Sequence, residues 1–204
     1  MEKVCTIICG APCKKFPAER VGGFVIAADR GLDYALANGI TPDIAVGDFD
    51  SAQTDVPKDI ECIRVSPIKD DTDTILAANT AVERGFSKLR FLCALGGRLD
   101  HSIANIQMLC HLKKRGIQAE LYGDNEECFL LENEQRSIAK FNGYLSVFAV
   151  SETAVVSESG VKYPIDRYTM KNTFPIGVSN EITAPAAVIT AHQGLALVII
   201  QREE

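Results

Sequence analysis

Residues Gly47-Asp48-Phe49-Asp50-Ser51 place two carboxylates two positions apart at a glycine-led turn, directly after the short apolar run Ile44-Ala45-Val46. Like charges held this close repel unless something positive lies between them, and a divalent cation is the usual solution. Three further acidic sites follow apolar runs in the same way: Asp29 after Gly23–Ala28, Asp70 and Asp73 after Ile60–Val65, and Asp100 after Leu89–Leu95. Each also has a plain structural reading. Asp29, Asp70 and Asp100 each stand at a predicted helix start, where a carboxylate is favoured by orphan amides and the helix dipole.

The opposite charge comes from Gly96-Gly97-Arg98, followed by His101 and Asn105 four positions apart on one helical face. Two glycines let a backbone turn approach a ligand closely. Their amides, a helix start and a guanidinium together make an anion site. Lys69 is a second phosphate candidate. Carboxylates that hold a metal beside an anion cradle suggest Mg²⁺ with a nucleotide di- or triphosphate. Neither a Gly-x-x-x-x-Gly-Lys-Ser/Thr loop nor a Gly-x-Gly-x-x-Gly turn occurs, which excludes a P-loop enzyme and an ordinary dinucleotide binder.

The elements that carry these residues alternate up to about residue 124. Predicted strands at 3–9, 23–28, 44–46, 60–65, 89–95 and 117–122 are separated by helical segments at 30–38, 73–85 and 101–115. In the second helix Ile75, Ala78, Asn79 and Val82 form the expected inner face, and in the third Ile103, Ile106, Leu109 and Cys110. This predicts an α/β N-terminal domain, 1–124, with a mostly parallel sheet. In such a sheet all the acidic sites fall at the carboxyl ends of strands, where ligands bind. From 125 to 204 only short strand-like runs remain (127–131, 136–141, 144–150, 154–156, 186–191 and 196–200), which predicts a small all-β sandwich domain.

The 204 residues are 47% hydrophobic, enough for two cores, and the net charge of −6 with no basic stripe argues against nucleic acid or an anionic membrane as partner. The seven cysteines, an odd number without a Cys-x-x-Cys pair, read as reduced thiols that mainly fill the core. No apolar stretch reaches membrane-spanning length and no secretory leader is evident, so the expected location is cytoplasmic.

With these residues in hand the chain resembles the thiamine pyrophosphokinase family of bacterial type. The matching stretches occur in the family's order: Ala27-Ala28-Asp29, Gly39-Ile40-Thr41-Pro42-Asp43, Gly47–Ser51, Lys69-Asp70-Asp71-Thr72-Asp73, Gly96–His101 with Asn105, Ser159–Pro164 and Gly177-Val178-Ser179-Asn180-Glu181. Arg30 stands where the family often has glycine, and the chain has no tryptophan to stack on a ligand ring. The resemblance implies a homodimer with thiamine sites between subunits, and transfer of a pyrophosphoryl group from ATP to the hydroxyl of thiamine. It implies Asp48, Asp50, Asp73 and Asp100 as catalytic Mg²⁺ ligands. It further implies Lys69, Gly96, Gly97, Arg98, His101 and Asn105 at the nucleotide, and Asp29, Ser179 and Asn180 at thiamine. Two other functions fit the residues: a Mg²⁺-dependent pyrophosphokinase for another alcohol, such as a hydroxymethylpterin, and a nucleotide-sensing module without turnover.

Overall fold

The structure, a computed structural model, describes residues 3–50, 52–64 and 72–203; Ser51, Lys69, Asp70 and Asp71 lie outside the described residues. The chain forms two compact units, Met1–Asp124 and Asn125–Glu204.

Apolar runs give the first unit its strands: β1 (Val4–Ile8), β2 (Phe24–Ala28), β3 (Ile44–Gly47), β4 (Glu61–Arg64), β5 (Lys88–Leu92) and β6 (Gln118–Tyr122). They pair in the order β4-β3-β2-β1-β5-β6, every pair parallel. β1, β2 and β3 are buried almost throughout because helices cover both faces, whereas β4, at the edge, is mostly exposed. The helices are α1 (Gly31–Ala37), α2 (Asp73–Glu83) and α3 (Leu99–Lys114). From β1 the chain winds outward through β2, β3 and β4, then crosses back to β5 on the other side of β1. The winding therefore reverses between β1 and β5, and in sheets of this kind ligands bind beyond the carboxyl ends of the strands at such a reversal.

Two helices present a different face from the one their apolar periodicity predicts. In α2 the buried residues are Ala77, Ala78, Thr80 and Ala81, and Ile75, Asn79 and Val82 are only half-buried. Small side chains let this helix lie close to the sheet. In α3 the inner face is Asn105, Met108, Leu109 and Leu112, and Ile103 is 50% exposed. The period is as expected, but its phase is set by a polar residue: the Asn105 amide donates to the Ala94 carbonyl at 2.7 Å. A buried amide must be satisfied, so this bond fixes the rotation of the helix.

The second unit is antiparallel throughout. Its strands are β7 (Glu126–Leu131), β8 (Glu134–Ala139), β9 (Gly143–Ala149), β10 (Thr153–Ser159), β11 (Ile165–Lys171), β12 (Ala186–Gln193) and β13 (Ala196–Arg202). β7, β13 and β9 form one layer, and β11, β10, β12 and β8 the other. Phe129, Leu145, Val147, Val156, Ile189 and Val198 meet in a core drawn from both layers, which makes the unit a β-sandwich. β11 is missing from the sequence-based set because it is an edge strand with a single fully buried side chain, Met170, and no apolar alternation.

Asn180 holds the long connection before β12 against this sandwich. Its backbone exchanges both hydrogen bonds with Leu145, at 2.8 and 2.9 Å. Its Oδ1 accepts from the amides of Tyr163 at 3.0 Å and Glu181 at 3.1 Å, and its Nδ2 donates to the Tyr163 carbonyl at 3.0 Å and to Glu158 Oε2 at 3.1 Å. Removing a buried group with this many partners strands several of them. Asn180→Ala should therefore lower stability by about 2–4 kcal/mol, read from urea unfolding followed by tyrosine fluorescence. Wild-type stability in this variant would contradict the structural role.

Candidate active site

The acidic residues at the ends of β2 and β3 are brought together by backbone geometry. Asp29 follows Ala28 with φ 48°, and its amide donates to the Val46 carbonyl at 2.8 Å. Gly47, with φ 149°, passes so close that a Cβ there would stand 3.2 Å from the Asp29 Cα and amide nitrogen. Glycine thus lets the two strand ends converge. The next turn is closed by Asp48, whose Oδ1 accepts from the Asp50 amide at 3.1 Å, with Phe49 at φ 61°. One carboxylate oxygen each from Asp29, Asp48 and Asp50 lies within 4.8 Å of the others, the only such acid, histidine or cysteine group of three among the described residues. Mg²⁺ binds oxygens at about 2.0–2.1 Å, so oxygens around it lie roughly 3–4 Å apart, and this donor set fits it. Beyond the turn, the Asp33 carboxylate on α1 accepts from the amides of Gln53 and Thr54, both at 2.9 Å, and anchors the loop that follows. Sequence reasoning did not single out Asp33.

Asp29 therefore stands with the expected metal ligands Asp48 and Asp50. Asp73 and Asp100 are not in that group. Asp73 is the first residue of α2, behind Thr72, whose Oγ1 accepts from the Ile75 amide at 3.3 Å and is the actual cap. Asp100 lies in the first turn of α3, and Arg98 takes the cap position without a side-chain cap bond. Asp29 is likewise not the cap of α1, a position held by Arg30.

The Gly96-Gly97 turn leaves β5 with φ of 94° and 66° and carries Arg98 to the start of α3. It packs on the loop after β1: the Ala11 amide donates to the Cys93 carbonyl at 3.0 Å, and a Cβ on Gly97 would meet Pro12 Cδ at 2.6 Å. These two loops leave the strands where the winding reverses. Asp124 pins the first of them by accepting from the amides of Lys14 and Lys15 at 2.6 and 3.2 Å. Arg98 grips Asp100 with two hydrogen bonds, Nε to Oδ1 at 3.1 Å and Nη2 to Oδ2 at 2.6 Å. That grip, helped by the His101 amide at 3.0 Å, holds the Asp100 carboxyl below its usual range and the guanidinium above its own. Both side chains are exposed, so Arg98 is oriented at the surface rather than buried. His101 is exposed; Asn105 is buried, with its amide committed to Ala94.

In the second unit, Ser179 is exposed at φ 60° and its amide donates to Ser146 Oγ at 3.0 Å. Beside it lies a cavity of about 260 Å³, lined among others by Glu158, Tyr163, Ile165, Met170, Val178 and Asn180. Glu158 escaped the sequence-based selection, though the alternation Ala154, Val156, Glu158 along β10 points it inward. Of the cysteines, burial pushes the Cys5, Cys9 and Cys128 thiols up to about 12, consistent with inert core positions, whereas Cys62 is exposed on β4.

A doubly wound α/β unit with an acid cluster and a glycine-arginine turn at its carboxyl edge, followed by a β-sandwich, defines a two-domain enzyme of the phosphate-transferring kind. The thiamin pyrophosphokinase catalytic domain matches residues 22–121, and the thiamin pyrophosphokinase vitamin B1 binding domain matches residues 131–196. The chain belongs to the thiamine pyrophosphokinase family and is a transferase. It is 28% identical over 184 residues to the thiamine pyrophosphokinase of Bacillus subtilis, covering 85% of each chain. The crystal structure of thiamine pyrophosphokinase from Bacillus subtilis superposes with a TM-score of 0.89 at 25% identity, covering 99% of this chain and 100% of that one. That of thiamin pyrophosphokinase from Geobacillus thermodenitrificans does so with 0.85 at 26% identity, covering 98% of each.

The grouping of the acids has a direct consequence. Asp29→Asn and Asp50→Asn should each weaken Mn²⁺ binding at least about tenfold, measured by titration without nucleotide, because each removes a charged ligand. Asp73→Asn should change it less than about threefold, since its carboxylate stands outside the group. An Asp29→Asn protein that binds Mn²⁺ like wild type would contradict the grouping.

Proposed function

We propose that the protein transfers the pyrophosphoryl group of ATP to the hydroxyl of thiamine, giving thiamine diphosphate and AMP. The observation that carries this reading is the presence of both the family's catalytic and vitamin B1 binding domains in one chain. In this reading the thiamine hydroxyl oxygen attacks the β-phosphorus, the bond from that phosphorus to the bridging oxygen of AMP breaks, and a carboxylate of the crevice accepts the hydroxyl proton. Asp29, Asp48 and Asp50 are the residues that would hold Mg²⁺, their three oxygens being the gathered donor set. When bound, the ion neutralises triphosphate charge and fixes its geometry.

Arg98 and the Gly96-Gly97 turn bind phosphate oxygens, with Asp100 orienting the guanidinium. Asp73 adds negative charge at the same carboxyl edge. Ser179 lies beside the thiamine, and Asn180 builds the wall behind it. We further infer a homodimer. Leu99 and Ile103 on α3, 73% and 50% exposed, and the exposed Tyr163, Phe174 and Val178 supply apolar surface of the kind that protein contacts cover. A cytoplasmic location accords with the free thiols, most of them at least half-buried, and no described helix is long and apolar enough to cross a membrane.

Incubation with ATP, Mg²⁺ and thiamine should yield AMP and thiamine diphosphate in equal amounts by chromatography, and neither when thiamine is omitted. AMP formed only with a hydroxymethylpterin, or no turnover despite ATP binding, would overturn the proposal. Arg98→Ala should raise KM for ATP about tenfold or more while leaving KM for thiamine within about twofold, because a charge-assisted phosphate contact is lost. An effect confined to thiamine would assign the turn to the wrong substrate.

A further inference from the structure

Cys13 and Cys93 meet although they are far apart in the sequence. Cys93 directly follows β5, and Cys13 lies in the loop after β1, the strand paired with β5. The Ala11 amide, bound to the Cys93 carbonyl at 3.0 Å, holds that loop on the end of β5. From the other side Asp124 pins the amides of Lys14 and Lys15, the two residues after Cys13. The Cys93 thiol donates a hydrogen bond to the Cys13 sulfur. Cys93 is buried and Cys13 is half-buried. Cys93 also takes a left-handed conformation, φ 52°, which costs energy in a non-glycine residue and persists where surrounding structure enforces it.

This pair differs from the buried thiols beside it. Cys5 and Cys9 donate to the carbonyls of Thr6 and Ile7, at 3.9 and 4.0 Å, and burial keeps both protonated. At Cys13 the balance is reversed. The hydrogen bond from Cys93 holds its thiol below the ordinary value, against burial and the Asp124 carboxylate. That same bond, followed by burial, pushes the Cys93 thiol above its own. One sulfur is therefore the nucleophile and the other keeps its proton. Among the described residues no third acid, histidine or cysteine joins the two at metal-ligand spacing, so a thiolate metal site does not account for them.

We propose that Cys13 and Cys93 form a reversible dithiol–disulfide site, oxidised by a small-molecule disulfide, whose closure disturbs the Gly96–Arg98 turn. The Cys13 thiolate attacks one sulfur of the oxidant, breaking its S–S bond and releasing one thiolate. The Cys93 sulfur then attacks Cys13 and expels the second, and the Cys93 proton passes to a leaving thiolate. The protein pair loses two electrons and the oxidant gains them. The new bond draws the β1 loop onto the end of β5, where Pro12 already stands against Gly97, 2.6 Å from where a Cβ would lie. The turn must yield, and Arg98, the next residue, moves with it. The consequence for nucleotide rests on the proposed function; the bond itself does not.

The test uses the full chain carrying Cys62→Ser, which removes the exposed cysteine on β4. Treatment with glutathione disulfide, alkylation and tryptic digestion should yield peptide 4–14 joined to peptide 91–98. Fragment ions should place the bond at Cys13 rather than Cys5 or Cys9, and dithiothreitol should separate the peptides. Cys93→Ser in the same background should stop at a glutathione adduct on Cys13. The oxidised protein should bind Mg-ATP at least about fivefold more weakly than the same sample after reduction, the lower end of usual coupling between sites. A link that forms only in urea, a bond at Cys5 or Cys9, adducts without the link, or an unmodified Cys13 in Cys93→Ser would overturn the dithiol site. A mapped bond that leaves ATP affinity unchanged would overturn its hold on the turn. If the reduced protein binds no Mg-ATP, the nucleotide reading falls and takes the effect on affinity with it, and the mapped bond decides the dithiol either way.

Discussion

The mutual repulsion of Asp29, Asp48 and Asp50 is the constraint on which the first unit depends. Three carboxylates with oxygens inside 4.8 Å of one another do not gather on their own account. The backbone must hold them, and it does so with a glycine at Gly47 and left-handed conformations at Asp29 and Phe49. Such conformations cost energy in non-glycine residues and persist where surrounding structure enforces them. Here the enforcement is the parallel pairing of β2 with β3, locked at its end by the Asp29 amide on Val46. The strained turn and the clustered charge are one feature, and in the proposed function a divalent cation is the partner that would make it favourable.

The sheet order then explains why the phosphate-binding candidates sit where they do. The loops after β1 and β5 part at the reversal of winding, and Asp124, Pro12 and the two glycines hold them in contact. Arg98 is delivered to the start of α3 by that turn and aimed by Asp100. Acidic groups that could hold a cation and the glycine-arginine turn that could hold an anion thus reach one edge of one sheet on different loops, a division of labour suited to the proposed metal-bound polyphosphate.

Much of this was legible in the sequence, because parallel strands buried on both faces leave continuous apolar runs and each run ends on a polar turn. The Gly47–Asp50 stretch and the Gly96–Arg98 turn announced themselves by composition. What was not legible depended on tertiary pairing. Asp29 joins Asp48 and Asp50 only because β2 and β3 are neighbours, and nothing local distinguishes it from a helix cap. The inner face of α3 was misjudged because a polar residue, Asn105, belongs to it. β11 left no alternation to read because it lies at an edge with Met170 alone fully buried. Glu158 was hidden by its type: a carboxylate at an inward position reads as a break in the strand pattern until its burial and its cavity are seen.

The most direct test of the account is a crystal structure with Mn²⁺ and a non-hydrolysable ATP analogue, recorded at the manganese absorption edge. The anomalous signal should stand among Asp29, Asp48 and Asp50, within about 2.3 Å of one oxygen from each and in contact with phosphate oxygens. An ion bound instead between Asp73 and Asp100, or nucleotide bound with no ion at the three clustered carboxylates, would contradict it.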